Sequence, residues 1–263
     1  MTFTGFKVKY PEYEIVTPQT KKSYTFRSLT VSEEERMKGS MITTTKVAEH
    51  LNKCIFDSIV SKPEGIKTLE DFVKNTTLKD RDALLYALYH ITYEEIRNYE
   101  VACRACQKSY SVTVKASNTF NYNPYPGDDV LTNQIKVDLP ITTGVSAFVK
   151  QPTLFDELYS TKELGSRPDM NLDIITETLI VDRFEEENEK SSEPKVYKDR
   201  IDVVDAYKAI TAKDKRKIYS AYEQAFGNYG ISLKMKSGCK FCNNEDVYDI
   251  DLVDNFFRAM YSV

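Results

Sequence analysis

Cys103-Arg104-Ala105-Cys106 and Cys239-Lys240-Phe241-Cys242 are the two stretches on which the reading of this chain turns. Each C-x-x-C pair lies on a short turn between apolar, strand-like segments. In such a turn both sulfurs face one point while backbone amides donate to them, so two turns together supply four thiolates for a closed tetrahedral zinc site. A closed sphere leaves no position for water or substrate, which makes the expected Zn2+ structural. The obstacle is distance, because about 130 residues separate Cys106 from Cys239, far more than a single compact ribbon contains.

An internal repeat removes the obstacle. Thr77-Leu78-Lys79-Asp80 precedes the first pair and Thr211-Ala212-Lys213-Asp214 the second. After Asp80, Leu84, Leu85, Leu88 and Ile91 mark one helical face. Ile218, Tyr219, Tyr222 and Ala225 fall at the same four steps after Asp214. Both faces open on an acid, where the helix dipole favours one. Further upstream, the stretch Phe26 to Glu34 aligns with Val149 to Glu157. In each, a strand-like run ends at a threonine (Thr30, Thr153) three residues before an acid (Glu33, Asp156), the pattern of a reciprocal helix cap. Pro18 and Pro140 also correspond.

The expected fold is therefore α+β, built from two tandem pseudo-symmetric repeats that share one four-cysteine, zinc-ribbon-like site. Residues 1–115 form the first repeat, 116–136 a connector, and 137–263 the second repeat, all in one integrated unit. Strands are expected between residues 6 and 29. A helix follows from Thr30 or Ser32, breaks near Met37–Ser40, and resumes through Val47, Leu51, Ile55 and Ile59. Leu69, Phe72 and Val73 mark a short helix before the Asp80 helix. In the second repeat, Ile174, Ile175, Leu179 and Ile180 form the middle helix, and the charged stretch 185–194 is a mobile, solvated loop.

Composition limits function. With 263 residues and a net charge of −4 at a pI near 5.5, the chain shows no basic stripe for nucleic acid. Its apolar runs are too short for a bilayer span and its amino terminus lacks signal-peptide features, so a cytosolic, membrane-free protein is expected. Four of five cysteines stand in metal spacing, and Cys54 reads as a buried helix residue. Catalytic sets are scarce. His50 and His90 both lie in expected helices, Asp80 and Asp214 are explained as helix-start residues, and no phosphate loop, nucleophile elbow or H-E-x-x-H occurs. An enzyme is not expected.

Two rival readings keep the cysteines but change their use. A thiol-disulfide oxidoreductase would open a helix after its pair, whereas Tyr110, Val112 and Val114 alternate as a strand after Cys106. A zinc-ribbon nucleic-acid-binding accessory protein would need the basic face that is missing.

The order of features resembles the baseplate assembly protein family of T-even type tailed phages. The most suggestive part runs from Tyr229-Gly230-Ile231-Ser232-Leu233 through Cys239 and Cys242 to Asp254-Asn255-Phe256-Phe257-Arg258. The resemblance implies a noncatalytic assembly factor, or a small component, of the hub at the baseplate centre. It also implies baseplate hub proteins as partners and a location in the host cytoplasm during phage assembly or in the virion baseplate. The family brings no catalytic residues, and only Cys103, Cys106, Cys239 and Cys242 are carried over to it. Aromatic side chains are the expected partner contacts: Tyr122 and Tyr125 in the connector, and Phe256, Phe257 and Tyr261 near the carboxyl end.

Overall fold

The computed structural model describes residues 10–39, 44–93, 96–165, 167, 170–188 and 191–250. Strands β1 (Glu12–Val16) and β2 (Ser23–Arg27) form an antiparallel hairpin. Tyr24 and Phe26 alternate inward along β2 and are buried, as a half-buried strand requires. Arg27 ends the strand with an ion pair to Glu33 at 2.8 Å. Glu33 also caps helix α1 (Val31–Gly39): its carboxylate accepts the Thr30 N–H at 2.8 Å, and its own N–H donates to the Thr30 hydroxyl at 3.3 Å. This exchange satisfies two of the donors that every helix start leaves open.

Helix α2 (Thr44–Asp57) turns Leu51 and Ile55 into the core. It stops where the Ser58 hydroxyl donates to the Cys54 carbonyl at 2.6 Å. Strand β3 (Ile59–Ser61) then pairs with the free side of β2. Two capped helices follow, α3 (Leu69–Lys74) behind Thr68 and α4 (Leu78–Thr92) behind Thr77. Ala83, Leu84, Leu85 and Leu88 of α4 have no accessible surface and form the middle of the first core. Each buried leucine contributes about 2 kcal/mol from removal of apolar area. Strands β4 (Ile96–Ala102) and β5 (Ser109–Lys115) make a second hairpin, whose turn carries Cys103 and Cys106.

After β6 (Phe120–Asn123), the element order recurs. Strands β7 (Gln134–Asp138) and β8 (Val145–Lys150) form a hairpin, and Lys150 ends it with an ion pair to Asp156 at 2.9 Å. Asp156 exchanges hydrogen bonds with Thr153 to cap α5 (Leu154–Leu164). Helix α6 (Leu172–Thr178) leads to β9 (Val181–Glu186), which pairs with β8 and with the added strand β10 (Lys195–Tyr197). Helices α7 (Arg200–Ala209) and α8 (Ala212–Tyr222) and a π turn over Glu223–Gly227 complete the helical part. Strands β11 (Gly230–Gly238) and β12 (Glu245–Asp249) flank Cys239 and Cys242.

One side chain in each half fixes hairpin to helix. Asp80, at the start of α4, accepts the Gln19 N–H at 2.8 Å and the Thr20 hydroxyl at 2.7 Å in the β1–β2 turn. Asp214, at the start of α8, accepts the Ile141 N–H at 2.9 Å and the Thr142 hydroxyl at 2.8 Å in the β7–β8 turn. The donors stand one and two residues after Pro18 and Pro140 respectively. Both carboxylates are inaccessible, so their pairing answers the cost of burying a charge.

The halves meet at the helix starts. The Leu78 N–H donates to the Pro152 carbonyl at 3.1 Å, the Leu154 N–H donates to the Thr76 carbonyl at 3.0 Å, and Thr77 bridges Thr153. Arg81 of α4 forms an ion pair with Glu157 of α5 through both guanidinium nitrogens. Leu154 accordingly sits in the core of the first half. The linking segment is part of this union, since β6 pairs with β11 and the Tyr125 N–H donates to the Pro18 carbonyl at 2.8 Å.

Four expectations need correction. Ile59 lies in β3, not in the preceding helix, and Ile180 lies in the turn between α6 and β9, because each short apolar run continues past its helix into a sheet. Glu185 and Glu186 belong to β9, where Val181 and Phe184 supply the buried face and β10 supplies the pairing. The hairpin of the second half begins at Gln134, inside the stretch expected to be connector.

Candidate metal centre

The two cysteine turns share one backbone design. The Cys103 N–H donates to the Lys108 carbonyl at 3.0 Å and the Gln107 N–H to the Cys103 carbonyl at 2.9 Å; Cys239 with Asn244, and Asn243 with Cys239, repeat this at 2.8 and 2.9 Å. Each turn closes through a residue of left-handed conformation, Gln107 at φ 60° and Asn243 at φ 57°. Amides point inward at the sulfurs, and the Phe241 N–H reaches Cys239 Sγ at 3.4 Å.

Packing places the turns face to face. Cys103 Sγ lies 3.6 Å from Cys242 Sγ, and Cys106 Sγ lies 3.7 Å from Cys239 Sγ. The first cysteine of each turn thus faces the second of the other. All four sulfurs fall within 4.8 Å of one another. Cys103 and Cys239 are buried beside Tyr110, Cys106 is half-buried, and Cys242 is exposed. The Arg104 N–H donates to Asp246 at 3.2 Å and the Tyr248 hydroxyl to the Ala102 carbonyl at 3.2 Å, so the hairpins also hold each other outside the sulfurs.

The donor set fits a metal ion. Four sulfurs bonded at about 2.3 Å to a tetrahedral ion lie about 3.8 Å apart, close to the two shortest separations seen. A disulfide would need about 2.05 Å, and all four thiols are free. Electrostatics agree. Burial raises the Cys239 thiol, but the Phe241 and Cys242 N–H groups outweigh it and bring the thiol down to about 7. At Cys242 the Asn244 N–H lowers the thiol, yet desolvation and the neighbouring sulfurs push it up to about 12. The first thiolate to form opposes the next, and a divalent cation removes that opposition. Among the described residues, no other group of histidine, cysteine and carboxylate side chains is gathered for a metal.

The other singled-out residues are dispersed. Cys54 lies in α2 against the first core, and burial pushes its thiol up to about 12. His50 sits on α2 and His90 on α4, where it stacks on Tyr86 and meets Tyr13 edge-on. Tyr122 is 37 % exposed on β6, its hydroxyl 3.4 Å from the Thr17 carbonyl. Tyr125, expected to face a partner, instead packs in the second core between Phe226 and Tyr229, its hydroxyl accepting from Asn133 at 2.7 Å. Phe256, Phe257 and Tyr261 lie outside the described residues. Sequence reasoning explained Asp80 and Asp214 as helix starts and missed their hold on the hairpin turns. The signal was the threonine two residues after each matched proline.

A model of the family described as T4 bacteriophage base plate protein matches residues 10–258. No curated protein and no solved structure matches the chain.

Proposed function

The chain belongs to the T4 bacteriophage base plate protein family, and we propose that within it the molecule is a noncatalytic assembly factor or small component of the baseplate hub, binding hub proteins through a zinc-clamped scaffold. The observation that carries the scaffold reading is the crossed contact of Cys103 with Cys242 and Cys106 with Cys239. One Zn2+ per chain, held by these four thiolates, would lock the two hairpins together and leave no open coordination position for chemistry.

We read residues 1–115 and 137–263, the second span extended back to Gln134 where its hairpin begins, as two copies of one unit joined by the stretch between them. Three matches support this: the recurrent element order, the paired caps Thr30–Glu33 and Thr153–Asp156, and the paired pins Asp80 and Asp214. Duplication gives two similar faces that differ at the 185–194 stretch and in the linking segment. Partner contacts then concentrate on surfaces particular to one copy, with exposed Tyr122 and the aromatic positions Phe256, Phe257 and Tyr261 as anchors.

Affinity capture from infected cells, with mass spectrometry of purified virions, tests the role. Recovery of hub proteins is expected. An assembly factor is absent from finished particles and a component is present. Capture that brings down no baseplate protein, with normal tails formed by phage lacking the chain, would defeat the proposal. The aromatic surface has its own test: a Phe256→Ala, Phe257→Ala double variant that folds, holds zinc and still yields infectious tails removes it.

A further inference from the structure

The junction between the halves is one-sided. Thr76, Thr77, Leu78 and Arg81 of the first half meet Pro152, Thr153, Leu154 and Glu157 of the second. A symmetric pair of copies would make the same contact twice, the second time between Thr211 and Thr30. Among the described residues no such backbone contact joins them.

Aligning the copies carries Thr76, Thr77, Leu78 and Arg81 onto Ile210, Thr211, Ala212 and Lys215, and carries Leu154 and Glu157 back onto Val31 and Glu34. What is covered in one set is open in the other. Thr76 and Thr77 are inaccessible, whereas Thr211, Ala212 and Lys215 are exposed. Leu154 has 0 % of its surface accessible and Val31 has 74 %. The pins differ in the same sense. Burial drives the Asp80 carboxyl above the ordinary value despite its hydrogen bonds, while at Asp214 the hydrogen bonds prevail over burial.

Charge on the two open faces is complementary. Helix α8 exposes Lys213, Lys215, Arg216 and Lys217 along its first turns, and α1 presents Glu34 and Glu35, Glu33 being held by Arg27 and Thr30. Inside the chain the corresponding pair, Arg81 and Glu157, is already an ion pair. Present commitments are weak enough to exchange: Lys215 contacts Glu177 with both side chains more than 40 % exposed, and such pairs contribute little. Glu34 also accepts the Tyr93 hydroxyl at 2.5 Å and has a second oxygen.

We propose that a second copy of this chain docks head to tail on this surface, the start of α8 in one molecule against the start of α1 in the next, reproducing the junction between the halves. Lys215 meets Glu34, and Val31 is covered as Leu154 is. The contact is heterologous, so its repetition closes a ring or extends a filament. The inference rests on reading the halves as two copies.

Sedimentation velocity of the full chain across the micromolar range, at low and high salt, tests it. Salt-sensitive self-association is expected. Lys215→Glu and Glu34→Lys should each weaken it about tenfold or more. Mixing the two variants should restore association in alternating order, because the two altered faces complement each other and the two unaltered faces still do, while each variant alone repels itself. A monomeric wild type at every concentration, or association indifferent to both substitutions, overturns the docking. The copy reading is judged separately by an experimentally determined structure of the chain: if the halves superpose while the wild type stays monomeric, docking fails and duplication stands, and halves with unrelated topologies would remove both.

Discussion

Asp80 accepts the hydroxyl proton of Thr20 at 2.7 Å across sixty positions of sequence, and the same carboxylate takes the Thr20 and Gln19 N–H groups. A hairpin turn with two inward N–H groups needs an acceptor, and a helix start is where a carboxylate is already favoured. Asp80→Ala leaves these donors buried without partners. The expected cost is about 3 kcal/mol, or roughly 6 to 12 °C in melting temperature. Asp214→Ala should cost less, because its neighbours Thr211, Ala212 and Lys215 are exposed and water can enter in place of the side chain. Equal losses for the two variants, read by thermal melts at pH 7, would refute the difference in surroundings.

The two carboxylates should also shift stability with pH in opposite directions. Burial raises Asp80 above the usual carboxylate value, so the folded state carries an ionisation cost that grows as pH rises from about 4. At Asp214, hydrogen bonds from the Ile141 N–H and the Thr211 and Thr142 hydroxyls overcome burial and hold the group at about 2. Its contribution is complete above about pH 4 and disappears as pH falls toward 2. The gap between wild type and Asp80→Asn should therefore narrow as pH rises above about 4, and that for Asp214→Asn should widen from about pH 2 to 4. Denaturant titrations at stepped pH measure both slopes.

Metal analysis of the purified chain should give one zinc per molecule, and Cys239→Ser should destabilise far more than Cys54→Ser. Cys239 is one of four converging donors, whereas Cys54 is a lone thiol against the first core. A chelator should lower the melting temperature of wild type and leave Cys239→Ser nearly unchanged. Equal melting of both cysteine variants would count against a structural ion.

Arg81 and Glu157 are only partly exposed, at 14 % and 22 % of their side-chain surface, and they join the halves. A double-mutant cycle with alanine at each position should return a coupling of about 1 kcal/mol, above the usual value for a fully exposed pair. A coupling near zero would mean that the backbone contacts around Thr77 and Thr153 hold the junction alone.

Much of this was legible in the sequence where chemistry is local. The caps at Thr30 and Thr153 form the expected contact, and Thr77 and Thr211, whose helices were expected only to open on an acid, cap them in the same way. The cysteine pairs announced four converging sulfurs, and they converge. Reading failed where an answer depends on distant chain. Ile59 and Ile180 follow apolar helices, and nothing nearby says that β2 and β8 offer them an edge. Tyr125 looks exposed amid prolines and glycine until the Pro18 carbonyl draws its backbone inward. The acid run at Glu185 and Glu186 hid a strand whose buried residues lie just upstream, at Val181 and Phe184, spaced by three where its register with β8 shifts and so without a clean alternation.

The pairing of Cys106 with Cys239 spans 133 positions, which sets a schedule for folding. A ribosome adds about 5 to 20 residues per second, so the first hairpin waits on the order of ten seconds with two sulfurs and no counterpart. During that interval it is half a ligand set, open to oxidation or to another nascent chain's half. Final closure removes a large loop-closure entropy from the unfolded chain, about 5 kcal/mol on the scale used for covalent cross-links.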